Sequence, residues 1–354
     1  MIAYASLIVV FFASFVFFRA HFDREKTIKY MITTFFVIYI FLLCFRSSNV
    51  GIDTSNYVNS YFIPFKHMQL KEILLYKYDE IGFSILVKVL SFITSNSQLF
   101  ISIIALLSVV PIMILYRNES REAAVCCSFF MISLLFEFFF SGMRQGIAIG
   151  LAVPAYYFSK NKKLIPFLLT VAFAITFHIS AFMIVFIYPI YHAKITGKWL
   201  WFVVPVMGVV FYNNRLIFTV LFEIFGGKYF EKYSSLFGTT NQTGLLTLFI
   251  LLSAYSIIIL DPEKATADDI GLRNILLLAT VIQCFAPLHD IASRMNYYYI
   301  LFIPLAITRV NYNCKHLYGQ VVKVASFVMT AYFVFYFFIM KGDTLQIMEY
   351  DFCF

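Results

Sequence analysis

Arg144 and Gln145 stand side by side in the apolar stretch "FFFSGMRQGIAIGLA". A guanidinium is a planar fork suited to bidentate contact with phosphate. Here it enters a glycine-rich helix start, where the backbone favours negative charge and the glycines would let a ligand approach closely. Arg144 is therefore a candidate anion ligand, and Arg294 in "HDIASRMNYYYI" a second one. His178 in "TFHISA" is a candidate general base, because imidazole titrates near neutral pH. "RSSNVGIDTSNY", Arg46 to Tyr57, is a candidate polar pocket for a hydroxyl-rich substrate, to which Asp79 and Glu80 of "YDEIGF" add carboxylates.

Each feature has a plainer reading, and the residues alone leave both open. A helix-end arginine snorkels toward water, and Arg294 can anchor at the interface with its three tyrosines. A lone histidine near a helix end is often a hydrogen-bonded packing residue. The 46–57 stretch can be a solvated turn held by Gly51 and by capping from Asp53. No HExxH or EF-hand spacing is present, and no glycine-rich phosphate loop of the nucleotide type, so ATP is not expected. The six cysteines lack a CxxC pair and read as packing residues.

The elements that must position these side chains are membrane helices. The chain has 354 residues, 61% hydrophobic and 13% charged, with a mean hydropathy of +0.83. The expected fold class is an all-α polytopic membrane protein of about eleven to thirteen membrane segments. The alternating ten-residue segments of a β-barrel are absent. "YASLIVVFFASFVFF" reads as a retained first helix. The net charge of +8 fits basic cytoplasmic loops rather than nucleic-acid binding.

Positive charge places the loops at 19–29, 159–163 and 192–198 in the cytoplasm. The loops at 46–80 and 213–242 are then external, within a single integral membrane domain over 1–354. "DPEKATADDIGLR" falls in the cytoplasm by alternation, its acidity giving no support. Segments 81–96 and 164–191 either span or re-enter. Both ends of 164–191 are basic, so it must turn near His178. This topology puts the Arg46 loop, Arg144 with Gln145, His178 and Arg294 on one external face.

Taken in order, "RSSNVGIDTSNY", "YDEIGFSIL", "SGMRQGIAIGLAVPAYYFSKNKK", "FAITFHISAFMIVFIYPIY" and "SRMNYYYI" resemble the EpsG/Wzy family of bacterial polysaccharide polymerases. The resemblance covers roughly 46–310. Its most specific part is the pairing of "RQ…A" with "FH-S-A"; Met143 and Ile52 are small departures. It implies a fold similar to the GT-C class of lipid-linked glycosyltransferases. It implies a chemistry in which a growing glycan moves from undecaprenyl diphosphate onto a sugar hydroxyl of the next lipid-linked unit. The place is the outer face of the bacterial cytoplasmic (inner) membrane.

In that chemistry Arg144 and Arg294 clamp the diphosphate, and Gln145 hydrogen-bonds phosphate or sugar. His178 takes the hydroxyl proton, with Asp53 in reserve. Arg46, Tyr57 and Glu80 contact substrate. No cofactor and no metal is expected, because arginines can supply the charge. The expected partners are the undecaprenyl-diphosphate-linked oligosaccharide, the bilayer and a chain-length regulator, with no nucleic acid. A lipid-linked oligosaccharide flippase is a rival, but it should carry polar groups deep in several spans. An O-antigen ligase uses the same donor with a different acceptor. A membrane O-acyltransferase would also use a histidine, yet gives the arginine pair no role.

Overall fold

Backbone in lipid has no water to bond, so apolar segments must close their hydrogen bonds internally. The computed structural model describes residues 2–76, 80–195, 200–226, 243–288, 290–340, 342–343 and 345–354. Among them the regular structure is helical, and β pairing is limited to isolated bridges at Arg46–Phe352 and Leu260–Cys314. The chain is an all-α polytopic membrane protein. It divides into two compact units, residues 1–185 with 323–354, and residues 186–322.

The first unit begins with α1 (Ile2–His21) and α2 (Arg24–Cys44). The loop from 45 onward then folds as α3 (Thr54–Tyr57), a π turn at Val58–Phe62, α4 (Ile63–His67) and α5 (Leu70–Tyr76). α6 (Ile81–Ile93) and α7 (Ser97–Glu119) follow, then α8 (Ala123–Ile132), α9 (Leu134–Phe138), α10 (Met143–Lys160) and α11 (Leu164–Phe177). The second unit holds α12 (Ile187–Tyr191), α13 (Leu200–Tyr212), α14 (Asn214–Gly226), α15 (Thr243–Ile259) and α16 (Ala267–Gln283). It continues through α17 (Asp290–Met295), α18 (Tyr297–Ile300) and α19 (Ile303–Tyr312). α20 (Gly319–Phe335) carries the chain back to the first unit.

Among the described residues, 5 helices are long and apolar enough to cross a membrane: Ala3–His21, Arg24–Cys44, Ser97–Glu119, Ala267–Leu288 and His316–Ile339. The hydropathy windows expect more segments because apolar length does not register helix breaks. Ser133 stands in extended geometry (φ −65, ψ 150) and splits 123–140 into α8 and α9. His178 is extended too (φ −158, ψ 127) and ends α11. α6 has 13 residues and α11 has 14. At 1.5 Å per residue each rises about 20 Å, short of a hydrocarbon core of about 30 Å. The 213–242 segment opens as α14, and its remainder from 227 lies outside the described residues.

In the first unit α2 packs on α7, α7 on α10, and α10 on α11. Two glycines spaced by four set the α7–α10 contact. A Cβ on Gly146 would lie 3.2 Å from Ser108 Oγ, and one on Gly150 would lie 2.9 Å from the Ser108 carbonyl oxygen. Small residues at that spacing let membrane helices approach closely. Lys88, which interrupts the apolar run of α6, is buried and donates from Nζ to the Phe65 carbonyl at 2.9 Å. It thus caps the end of α4 and ties the loop to α6. Lys160 Nζ meets Glu119 Oε1 at 2.9 Å, joining the ends of α7 and α10.

A C-terminal strap fixes the start of the 45–57 loop. Ser47 N–H donates to the Asp351 carbonyl at 2.8 Å, and Cys353 N–H to the Phe45 carbonyl at 2.9 Å. Gly51 and Ile52 donate to the Gln346 and Leu345 carbonyls, each at 3.1 Å. Gly51 sits at φ +91, and a Cβ there would fall 2.1 Å from the Phe140 carbonyl oxygen, so the position admits glycine alone.

In the second unit the acidic run before α16 has a local purpose. Thr266 and Asp269 form a capping box, and Asp269 also accepts from Arg309 at 3.1 Å and from Asn313 at 2.8 Å. Asp268 accepts from the Tyr191 hydroxyl at 2.7 Å. The acidity gave no topological signal because it serves the helix N-terminus.

Candidate functional site

The site is assembled by four segments of the first unit. The 50–57 loop docks on the turn before α10. Thr54 Oγ1 donates to the Phe140 carbonyl at 2.8 Å, and Asp53 N–H donates to Ser141 Oγ at 3.1 Å. Ser141 Oγ donates in turn to Asp53 Oδ2 at 3.1 Å. This docking sets Tyr57 beside the first turn of α10, where Arg144 Nε donates to the Tyr57 hydroxyl at 3.2 Å. The guanidinium carbon lies 5.6 Å from the Tyr57 ring centre and 5.7 Å from that of Tyr61, within cation–π range. Burial raises the Tyr57 phenol above its ordinary value, against a lowering pull from Arg144, so the hydroxyl keeps its proton.

A positive side chain in the first turn of a helix opposes the helix dipole. Glu80 compensates it: the carboxylate forms an ion pair with Arg144 NH1. Glu80 is also the N-cap residue of α6, yet its side chain makes no cap hydrogen bond. The anion expected at the start of α10 is thus supplied by the protein itself. Glu80 is buried, 5% exposed, while Arg144 remains 30% exposed.

His178 ends α11 and faces the other carboxylate oxygen, with Nε2 3.7 Å from Glu80 Oε1. Its Nδ1 lies 2.7 Å from Ser180 Oγ, and the Ser180 backbone N–H donates to the same nitrogen at 3.3 Å. The amide contact makes Nδ1 an acceptor, which puts the proton of the neutral ring on Nε2, toward Glu80. Arg144, Glu80 and His178 therefore form a chain: a buried carboxylate held between a guanidinium and an imidazole. A carboxylate behind one ring nitrogen and a hydroxyl at the other is the arrangement of a base-activating triad.

This chain belongs to the EpsG family. The family match runs over residues 29–352 and covers nearly the whole chain. No curated protein matches, and no solved structure matches. Membership in the EpsG family points to a role of the polysaccharide-polymerase type.

The structure brings together Asp53, Tyr57, Glu80, Arg144 and His178 in the first unit. Arg46 is 1% exposed; its NH1 donates to the Leu43 carbonyl at 2.6 Å and its guanidinium carbon lies 5.5 Å from the Phe140 ring centre. Gln145 is buried within α10. Arg294 belongs to the second unit, in the last turn of α17. Asp79 lies outside the described residues. The glycines after Arg144 do not open the helix to a ligand: Gly146 and Gly150 face α7, and Gly142 packs on the Phe138 ring. Ser141 and Ser180 are site residues that the sequence reading missed. Ser141 stands three residues before Arg144 in "SGMR" and Ser180 two after His178 in "FHIS", and that nearness was the available signal.

Proposed function

We propose that this protein is a polysaccharide polymerase acting at the outer face of the bacterial cytoplasmic membrane. The donor is a growing glycan on undecaprenyl diphosphate, and the nucleophile is a sugar hydroxyl of the next lipid-linked repeat unit. The observation that carries the reading is the Arg144–Glu80–His178 chain in a member of the EpsG family.

The acceptor hydroxyl takes the place of Ser180 Oγ at His178 Nδ1 and gives that nitrogen its proton as its oxygen attacks the anomeric carbon. The bond from that carbon to the diphosphate oxygen breaks, and the diphosphate leaves with the electron pair. Glu80, behind Nε2, stabilises the imidazolium that results and fixes the ring's tautomer. The 3.7 Å contact between Nε2 and Glu80 tightens when substrate is bound. Arg144 holds Glu80 and Tyr57 through two of its donor nitrogens and is still partly exposed, so its guanidinium also faces the departing diphosphate. A diphosphate is already a good leaving group and needs no strong acid. Asp53, held by Ser141, is the second candidate for the proton.

The test is polymerisation of purified lipid-linked repeat units by protein in liposomes. The wild type should give a ladder of lengthening products. His178→Ala and His178→Gln should both slow it by about 10²–10⁴-fold, since neither can take a proton. If His178→Gln retains most activity, the ring is not the base and Asp53 is examined next. Transfer to a different acceptor without lengthening would instead support a ligase. In a deletion strain, single repeat units on the external anchor support the polymerase; absence of lipid-linked material outside supports a flippase.

A further inference from the structure

A charged cavity lies in the first unit, at the opposite end of α1 and α2 from the 45–57 loop. It has a volume of about 280 Å³ and is bounded by the last turn of α1, the first turn of α2 and the first turn of α8. Arg19, Arg24 and Arg121 line it, with Glu122 as the carboxylate in its wall. Of the two acidic residues next to it, Asp23 pairs with Lys26 at 3.4 Å, and Glu25 pairs with Lys29 at 2.7 Å and also attracts Arg121. The lining of the cavity holds three guanidinium groups and one carboxylate.

Its other walls are apolar or backbone. Phe15, Ile28 and Met31 supply hydrocarbon. Ala123 and Ala124 bring the start of α8, whose N-cap residue, Glu122, makes no side-chain cap hydrogen bond. The first-turn N–H groups of a helix, with the positive end of its dipole, favour an anion. Two candidate spans, Ala3–His21 and Arg24–Cys44, end and begin at this cavity, so it lies at a membrane–water boundary. Phe15 is 45% exposed and Val16 70% exposed, so an apolar path runs from the cavity along the outer face of α1.

We propose that this cavity binds the phosphate headgroup of an anionic phospholipid, with the lipid's acyl chains lying along α1. The phosphate sits among Arg19, Arg24 and Arg121 and receives N–H groups from the first turn of α8. Basic pockets between membrane helices recognise anionic headgroups through this combination of charge and adjoining hydrocarbon. A free phosphate would satisfy the arginines but leave the path along α1 unused.

The test is native mass spectrometry of the full chain in detergent, titrated with phosphatidylglycerol, with phosphatidylcholine, and with inorganic phosphate as competitor. The wild type should retain phosphatidylglycerol in preference to phosphatidylcholine, and millimolar phosphate should not displace it. Arg19→Gln, Arg24→Gln and Arg121→Gln should each weaken retention about fivefold. Glu122→Gln should strengthen it, a gain that misfolding cannot imitate. The three cavity substitutions combined should weaken retention about a hundredfold, whereas the charge-matched triple Arg117→Gln, Lys162→Gln, Lys163→Gln, outside the cavity, should behave as wild type. Equal retention of the two lipids, equal loss in the charge-matched triple, or displacement by inorganic phosphate would each overturn the proposal.

Discussion

Gly82 lies against Thr176: a Cβ on Gly82 would fall 2.2 Å from Thr176 Oγ1. This contact lets α6 touch α11, and it stands two residues from Glu80 on one helix and two from His178 on the other. The Glu80–His178 separation of 3.7 Å rests on that close approach. Gly82→Ala should push the helices apart and lower polymerisation at least tenfold while the protein still inserts, since overpacking costs about 1–3 kcal/mol. Chain-length analysis in membranes with matched protein levels decides it. Unchanged activity would mean that the site tolerates a wider gap.

Glu80→Gln keeps the shape of the side chain but removes the charge that pairs Arg144 and faces His178. Activity should fall by about 10²–10⁴-fold, with donor affinity changed less than turnover. Single-turnover transfer compared with donor binding separates the two. A variant that loses donor binding and keeps its turnover would make Glu80 a substrate ligand, its expected role from sequence.

Tyr57→Phe removes the acceptor of the Arg144 Nε–H bond but keeps the ring under the guanidinium. The loss should be modest, about 1 kcal/mol. Arg144→Lys keeps the charge and loses the planar fork that engages Glu80 and Tyr57 at once, so it should be far more damaging. The ranking in the liposome assay is the check; equal effects of the two variants would mean that charge alone matters at 144. Arg294→Ala is measured alongside, and normal-length polymer from it would leave Arg294 an interfacial anchor.

Orientation can be read from a native residue. Cys353 is exposed and pairs through its backbone with Phe45, at the start of the 45–57 loop, whereas Cys44, Cys126, Cys127 and Cys284 are buried. An impermeant maleimide should therefore label Cys353 from outside in spheroplasts, and Cys353→Ser should abolish the signal. In a Cys314→Ser background, needed because Cys314 is only half-buried, labelling of Cys353 only after permeabilisation would put the candidate site on the cytoplasmic side.

Arg144 and His178 were legible in the sequence because a polar side chain at the break of an apolar run is conspicuous. Their coupling was not, since Glu80 lies 64 residues before Arg144 in the numbering and is brought to it by the packing of α6 on α11 and of α11 on α10. The glycines after Arg144 were misread for a related reason: "GMRQGIAIG" fits a ligand cradle and a helix-packing stripe equally, and only the neighbouring helix distinguishes them. Arg46 reads in sequence as a substrate contact at the start of a polar loop, and its burial against the Phe140 ring, which no sequence pattern announces, makes it part of the loop's anchorage. Hydropathy found the membrane class readily. It missed the break at Ser133, which depends on backbone dihedrals rather than apolar length, whereas the polar interruption at His178 was read as a turn and α11 does end there.

The strap that holds the 45–52 loop has a bearing on the timing of assembly. The partners Ser47 and Asp351 are separated by almost the whole length of the chain, so during synthesis the loop emerges long before the residues that fix it. Contacts of such long sequence separation form late, because closing the intervening chain carries an entropic cost. Through the insertion of all the intervening helices, Asp53 and Tyr57 sit on a loop that lacks its final hydrogen bonds. The candidate site thus gains its final hydrogen bonds only after the C-terminal residues have been made, and a chain arrested partway through insertion carries it without its strap.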